Sequence, residues 1–559
     1  MAANLGNNLE LGKDPQGRPV ILSKEKRSTH LYVVGSTGTG KSKFLEHLIR
    51  QDIKNWRDSK CGMLVIDPHG SLYDSLMERM TYENSRLKRP IVPIDLRSDE
   101  WIVAYNMLRN RPGADPSVVA ANFVQAMAYV WGEGGTTNTP LFARWGNNIL
   151  RTLYEAKRTL VEAEHLIDHS AYAVRRTMTD MVTNPSVQRD WRNAEKMTPQ
   201  EYEKEVGSTV NRLRRFLGTE MLRQMFGQAH VSLDLEKALS EGQIILVNLA
   251  PRGSRVSEED AALFATLLLS DLWAAAKDRG KGNAAKPVKP FYVYIDEFQN
   301  FVTPTIAQGL DQARGFGLHL TLAHQYPNQL LHKGDHGRAI YDSVMVNART
   351  KVVFQVEGEE NLKPLAHSLF MGVLNPDEIK LELYSTKIVG HRKELRESHT
   401  ESSSVTENWS EGSGKMLGDE SEGQEDRLSE HSSSSSGSSA GYSKTYMEVD
   451  AAVFGKERSQ VQFRNLEEQK FQAMAQLFAL EPRTCIARMA NERLPVLLWV
   501  PEVRSYHLNP ERVKGYMNLL AKKWKFFVPV AGVVLNENSF IETTQKAMVE
   551  PRTAKRKIV

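Results

Sequence analysis

The chain has 559 residues, 41% hydrophobic and 25% charged, which is a globular composition on a length too great for one ordinary core. No apolar run of about 18 residues is present to span a bilayer, the first residues lack the apolar centre of a secretory leader, and the two distant cysteines, Cys61 and Cys485, argue against a disulfide framework or a cysteine metal cluster. The net charge of +4 is uneven: residues 397–440 hold ten acidic and two basic side chains, leaving +12 on the rest, a moderate excess compatible with a nucleic-acid partner and equally with plain solubility.

The first predicted strand, "LYVV" (31–34), runs into "GSTGTGKS" (35–42) and then into "KFLEHLIRQDIKNW". The last is a helix with Phe44, Leu45, Leu48, Ile49, Ile53 and Trp56 on one stripe. Gly35, Gly40, Lys41 and Ser42 fill the fixed places of the phosphate-gripping pattern G-x-x-x-x-G-K-[ST], in the strand–loop–helix setting it needs. Backbone N–H groups from Ser36, Thr37, Gly38, Thr39, Gly40, Lys41 and Ser42 are expected to wrap a β-phosphate, with glycines letting the chain come close. Lys41 is expected on the β- and γ-phosphates and the Ser42 hydroxyl on Mg²⁺.

Short apolar runs follow at "MLVI" (63–66) and "IVPI" (91–94). Residues 112–238 break this rhythm with helical spacing throughout, as in "LFARWGNNILRTLYEA", and read as an all-α insertion. The apolar runs resume at "IILVNL" (244–249), "FYVYI" (291–295), "LHLTL" (318–322) and "KVVFQV" (351–356). Strands apolar on both sides belong in a parallel sheet covered on two faces, so the expected fold is α/β, its core in two parts, 1–111 and 239–396. "FYVYI" ends at Asp296 and Glu297. Asp296 is placed to hold Mg²⁺ through water, and Glu297 to polarise an attacking water as general base.

Residues 397–444 are rich in Ser, Gly and Glu, with little to bury, and read as a disordered linker. Their flanks, "IKLELYSTKIV" and "SQVQFRN", leave a second arrangement open, in which they pair as strands and the linker is an exposed loop. Residues 445–535 read as a small C-terminal α/β extension, with a helix and two short strands, and 536–559 as a basic tail. "NRLRRFLG", with Arg212, Arg214 and Arg215, is a candidate DNA contact or a solvated helix face.

The ordered set "GSTGTGKS", "MLVIDPHGSLYDSL", "YIDEFQNF", "QARGFGLHLTLAHQYPNQL" and "SVMVNARTKVVFQV" resembles the HerA/FtsK superfamily of ring-forming, DNA-pumping ATPases. Within it the chain looks closest to the conjugative coupling proteins of type IV secretion, the TraG/TraD-like group, over roughly residues 28–390. The resemblance implies a RecA-like P-loop NTPase core, ATP and Mg²⁺ as cofactors, and a homo-hexamer that couples ATP hydrolysis to translocation of DNA. It implies a γ-phosphate-sensing role for Gln325. It also implies that Arg314, or in second place Arg349, reaches the neighbouring subunit's nucleotide, which would make Lys41, Glu297, Gln325 and Arg314 the catalytic set. Asp67 and His69 are expected near a subunit boundary, or Asp67 as a helix cap. The group's N-terminal transmembrane helices are not seen before the phosphate loop, so a soluble, cytoplasmic form is expected, touching membrane only through a partner. Relaxase or secretion-channel proteins are the partners implied. Two other readings stay open: a HerA-like DNA-processing or anti-phage motor working with a nuclease, and a non-motor ATP switch or scaffold that assembles a secretion apparatus.

Overall fold

A computed structural model describes residues 7–83, 89–108, 115–131, 140–251, 253, 255–280, 288–303, 307, 309–375, 377–406 and 435–532. The strands in chain order are β1 (Leu9–Lys13), β2 (Pro19–Leu22), β3 (Leu31–Val34), β4 (Gly62–Asp67), β5 (Ile91–Asp95), β6 (Trp101–Val103), β7 (Ile244–Asn248) and β8 (Phe291–Ile295). They continue with β9 (Leu318–His324), β10 (Thr350–Val353), β11 (Ile379–Thr406), β12 (Ser435–Phe463), β13 (Thr484–Arg488), β14 (Val496–Trp499) and β15 (Phe527–Pro529).

Every apolar run read from the sequence is a strand of one sheet, ordered β2-β1-β14-β13-β10-β3-β9-β8-β4-β7-β5. From β10 to β5 all neighbours are parallel, as continuous apolar runs demand. The remaining four strands extend one edge antiparallel.

Alternate residues of each strand face opposite ways, and the core divides accordingly. Met63, Val65, Ile244 and Leu246 pack on one face with Phe44, Leu48 and Ile49 of helix 41–59 and Leu76 of helix 71–83. Leu64, Ile66, Ile245 and Val247 pack on the other with Phe264 of helix 258–280 and with Phe123, Trp145 and Phe216 from region 116–241. That region holds eight helices among the described residues. Its apolar side chains run into the same core as the sheet, so the insertion is welded to one face of the sheet.

The chain divides into two units, residues 1–374 with 467–559, and residues 375–466. The second unit is a ribbon in which β11 pairs antiparallel with β12, from Ile379 opposite Phe463 to Thr406 opposite Ser435. The linker expected over 397–444 is therefore strand at both its ends, 397–406 and 435–444. Backbone pairing there satisfies N–H and C=O groups without any core, a gain that composition does not reveal. The middle of that segment, 407–434, and the basic tail, 536–559, lie outside the described residues. The C-terminal stretch is not an appendage: β13 and β14 lie between β10 and β1 in the main sheet. Among the described residues no helix is long and apolar enough to cross a membrane. Cys61 and Cys485 are both buried and free.

Candidate nucleotide site

The phosphate loop, 35–42, leaves the carboxyl end of β3 and enters helix 41–59. Its shape is fixed from three sides. Gly35 donates its N–H to the His324 carbonyl at 3.3 Å, and Ser36 to the Gln355 carbonyl at 2.9 Å. Arg483, arriving from far along the chain, donates its N–H to the Thr39 carbonyl at 2.8 Å. Gly35 leaves no room for a side chain, since a Cβ there would lie 2.7 Å from Phe354 Cβ. Gly40 holds φ at +109°, open to glycine alone at low cost. The loop ends on the N-terminus of a 19-residue helix, where free N–H groups and the helix dipole favour an anion.

Asp296 and Glu297 follow β8, which lies two strands from β3 with β9 between them. Lys41 Nζ lies 2.5 Å from Glu297 Oε1 and 3.0 Å from Asp296 Oδ1, all three groups being buried. Ser42 Oγ is 3.5 Å from Asp296 Oδ2. Glu297 stands in the left-handed region, φ +48°, a strained choice for a residue with a Cβ. Its carboxylate is steadied by Gln299, whose Nε2 donates to Oε2 at 2.8 Å. The backbone carbonyl of Gln299 accepts from the Tyr129 hydroxyl at 2.9 Å and from Lys333 Nζ at 2.6 Å. One brace for the acidic pair thus comes from the helical insertion.

Gln325 follows β9 directly. Its neighbour His324 lies opposite Val34, the last residue before the loop, which sets Gln325 at the strand end between the phosphate loop and the acidic pair. His324 is buried, with Nε2 2.5 Å from the Tyr32 hydroxyl and its ring against Phe298. Burial, with Lys41 nearby, pushes its imidazole down to about 3. Neutral His324 avoids setting a second cation beside Lys41.

Arg314 is exposed, four residues before β9 starts. The seven-residue strand separates it from Gln325 by about 20 Å, so Arg314 is remote from its own chain's phosphate loop. Arg349 likewise precedes its strand, β10, and is exposed. Asp67 is a buried cap: its carboxylate accepts N–H groups from His69 at 2.9 Å and Tyr73 at 2.8 Å, and burial raises its pKa. His69 is exposed. Of the arginine run, Arg212 lies over the Phe142 ring and Arg215 pairs with Glu259, so both are engaged within the chain.

The sequence reading did not single out Gln299, Tyr129, Lys333, His324 or Arg483. Only Gln299, two residues after Glu297 and on the same acidic motif, carried a local signal.

The residues present fit a nucleoside triphosphate with Mg²⁺. A buried lysine and a helix N-terminus offer the positive cradle. Ser42 and Asp296 are oxygen donors of the kind Mg²⁺ takes in small number beside phosphate oxygens and water.

The family model of the type IV secretion-system coupling protein DNA-binding domain matches residues 18–375. The chain belongs to this coupling-protein family. The match takes in the phosphate loop, the acidic pair, Arg314, Gln325 and the helical insertion, whereas Arg483 falls outside it. Two DNA translocases FtsK, from Rickettsia typhi and Rickettsia prowazekii, are each 30% identical over 105 residues, 18% of this chain and 14% of theirs. The chain thus aligns with only a small part of those relatives. Among solved structures, the bacterial conjugative coupling protein TrwBdeltaN70 is similar over 90% of this chain and 92% of its own, at 14% identity and a TM-score of 0.48. The plasmid coupling protein TrwB in complex with ADP and Mg²⁺ is similar over 89% of this chain and 91% of its own, at 13% identity and a TM-score of 0.46.

Proposed function

We infer that this coupling-family chain is an ATP-driven DNA translocase that works as a ring of identical subunits. The observation that carries the reading is the meeting of Lys41, Asp296 and Glu297 at one point, with the β9 strand end beside the phosphate loop. Bound Mg²⁺ would neutralise charge developing on the phosphates. Lys41 holds the phosphates, and Glu297 takes the proton of the attacking water once Lys41 has turned to phosphate. Gln325 meets the γ-phosphate and signals its loss along β9. Arg314, remote from its own loop, serves the neighbouring subunit's nucleotide, which makes turnover depend on assembly.

ATP turnover measured with and without DNA tests this reading. DNA is expected to raise the rate, and Glu297→Gln to abolish it. Equal rates with and without DNA would remove the motor reading and favour an ATP-dependent assembly switch.

A further inference from the structure

A second cleft lies at the amino ends of β5 and β7, the strand ends away from the phosphate loop. It has a volume of about 510 Å³ and is walled by Lys237, Lys523, Lys525, His230, Trp524 and Phe526. Its position is fixed by the strand starts: Trp524 donates its indole N–H to the carbonyl of Ile91, the first residue of β5, at 2.7 Å, and Gln243, before β7, also lines it. The nucleotide site lies at the other ends of the parallel strands.

Two chemical properties converge in this cleft. Trp524 and Phe526 stack with ring centroids 5.4 Å apart and planes 22° apart, and both rings are only partly buried. The sequence around them, "KKWKFF" (522–527), interleaves aromatic rings with lysines. Lys523 and Lys525 are exposed. Against the three lysines the lining sets one carboxylate, Asp234, and Lys237 has Glu241 at 3.7 Å. Aromatic platforms beside exposed cations suit a polyanion whose flat bases can leave their stack and lie on a ring, which is single-stranded nucleic acid. A duplex offers phosphates but keeps its bases stacked inside.

We propose that this cleft binds single-stranded DNA, through base stacking on Trp524 and Phe526 and phosphate contacts to Lys523 and Lys525. It rests on the reading of the chain as a DNA motor and adds a contact outside the family's matched segment, which ends at residue 375.

The test is anisotropy of a labelled dT20 oligonucleotide with the full-length protein and a non-hydrolysable ATP analogue, across a salt series. Lys523→Glu with Lys525→Glu is compared with wild type and with Lys523→Arg, Lys525→Arg. The charge-reversed protein is expected to bind about tenfold more weakly, with a salt slope shallower by about one to two, while the arginine protein keeps wild-type affinity. An unchanged thermal midpoint shows that the fold is kept. If wild type binds dT20 and the charge-reversed protein binds it equally well, the cleft assignment fails and the motor reading stands. If a 20-base-pair duplex loses as much affinity as dT20, the single-strand assignment fails. If wild type binds neither form of DNA, the motor reading fails and takes the cleft with it.

Discussion

Lys41 Nζ lies 2.5 Å from Glu297 Oε1, so the lysine that is to grip phosphate is held by the carboxylate that is to activate water. Breaking a buried pair leaves an uncompensated charge, and an arriving phosphate supplies the replacement partner for Lys41. On this reading, binding frees the base. Glu297→Gln is expected to keep MgATP binding, since the amide competes less for Lys41, and to lose about 10²–10⁴-fold in turnover. A fluorescent ATP analogue reads the first, single-turnover hydrolysis the second. Turnover within a factor of about two of wild type would remove Glu297 as the base.

On the same reading, Gln299 positions that base. Its side-chain amide holds Glu297 Oε2 at 2.8 Å, while Tyr129 and Lys333 hold its backbone carbonyl. Gln299→Leu fills similar space without the donor, and is expected to cut kcat roughly tenfold, with KM for ATP little changed. Gln299→Asn, shorter by one methylene, should recover little. A rise in KM with kcat intact would place Gln299 in nucleotide binding instead.

These sites show which parts of the molecule were legible in the sequence. The phosphate loop, the acidic pair and all seven parallel strands were visible because each is a local pattern: an apolar run closed by a loop with fixed chemistry. Helix 41–59 was visible through its stripe from Phe44 to Trp56, which is buried as expected. What escaped was non-local. Arg483 reaches Thr39 across more than 440 residues of chain, and no spacing rule foretells that. β1, β2 and β6 are short, with β2 at one edge of the main sheet, β1 beside it and β6 outside it, and carry weak patterns. The β11–β12 ribbon is held by its own ladder, so its polar outer half offered no hydrophobic signal.

Arg314 and Gln325 sit at opposite ends of β9, so they can serve one nucleotide only if it lies between subunits. Arg314→Ala and Lys41→Ala are each expected to abolish turnover, by about 10³-fold or more for the arginine. Mixing the two proteins pairs an intact phosphate loop with an intact arginine at some boundaries, and activity should partly return. Mixed samples no more active than either parent, with subunit exchange confirmed, would show that Arg314 does not act in trans. Arg349→Ala mixed in the same way tests the alternative arginine.

The buried imidazoles give the protein an acid limit that can be worked out in sign. His324 is pushed down to about 3 by burial and by Lys41, and His319 to about 3 by burial and by Arg27. In the unfolded chain both titrate near 6.5. Above that pH both are neutral in either state and their contribution to stability is fully present. As pH falls below 6.5 the unfolded chain takes up protons that the native chain refuses, so stability drops by about 1.4 kcal/mol per pH unit for each histidine until the native values are reached. From pH 6.5 to 5.0 the two together should cost roughly 3 kcal/mol. Asp67, raised by burial, works in the opposite direction, because its native carboxyl takes a proton more readily than the unfolded one. Urea unfolding at pH 7.5, 6.5, 5.5 and 5.0 reads the slope. His324→Gln keeps an acceptor for Tyr32 and removes the titration, and is expected to lower the slope below pH 6 by about one proton's worth. A slope unchanged in both His324→Gln and His319→Gln would assign the acid sensitivity to other groups.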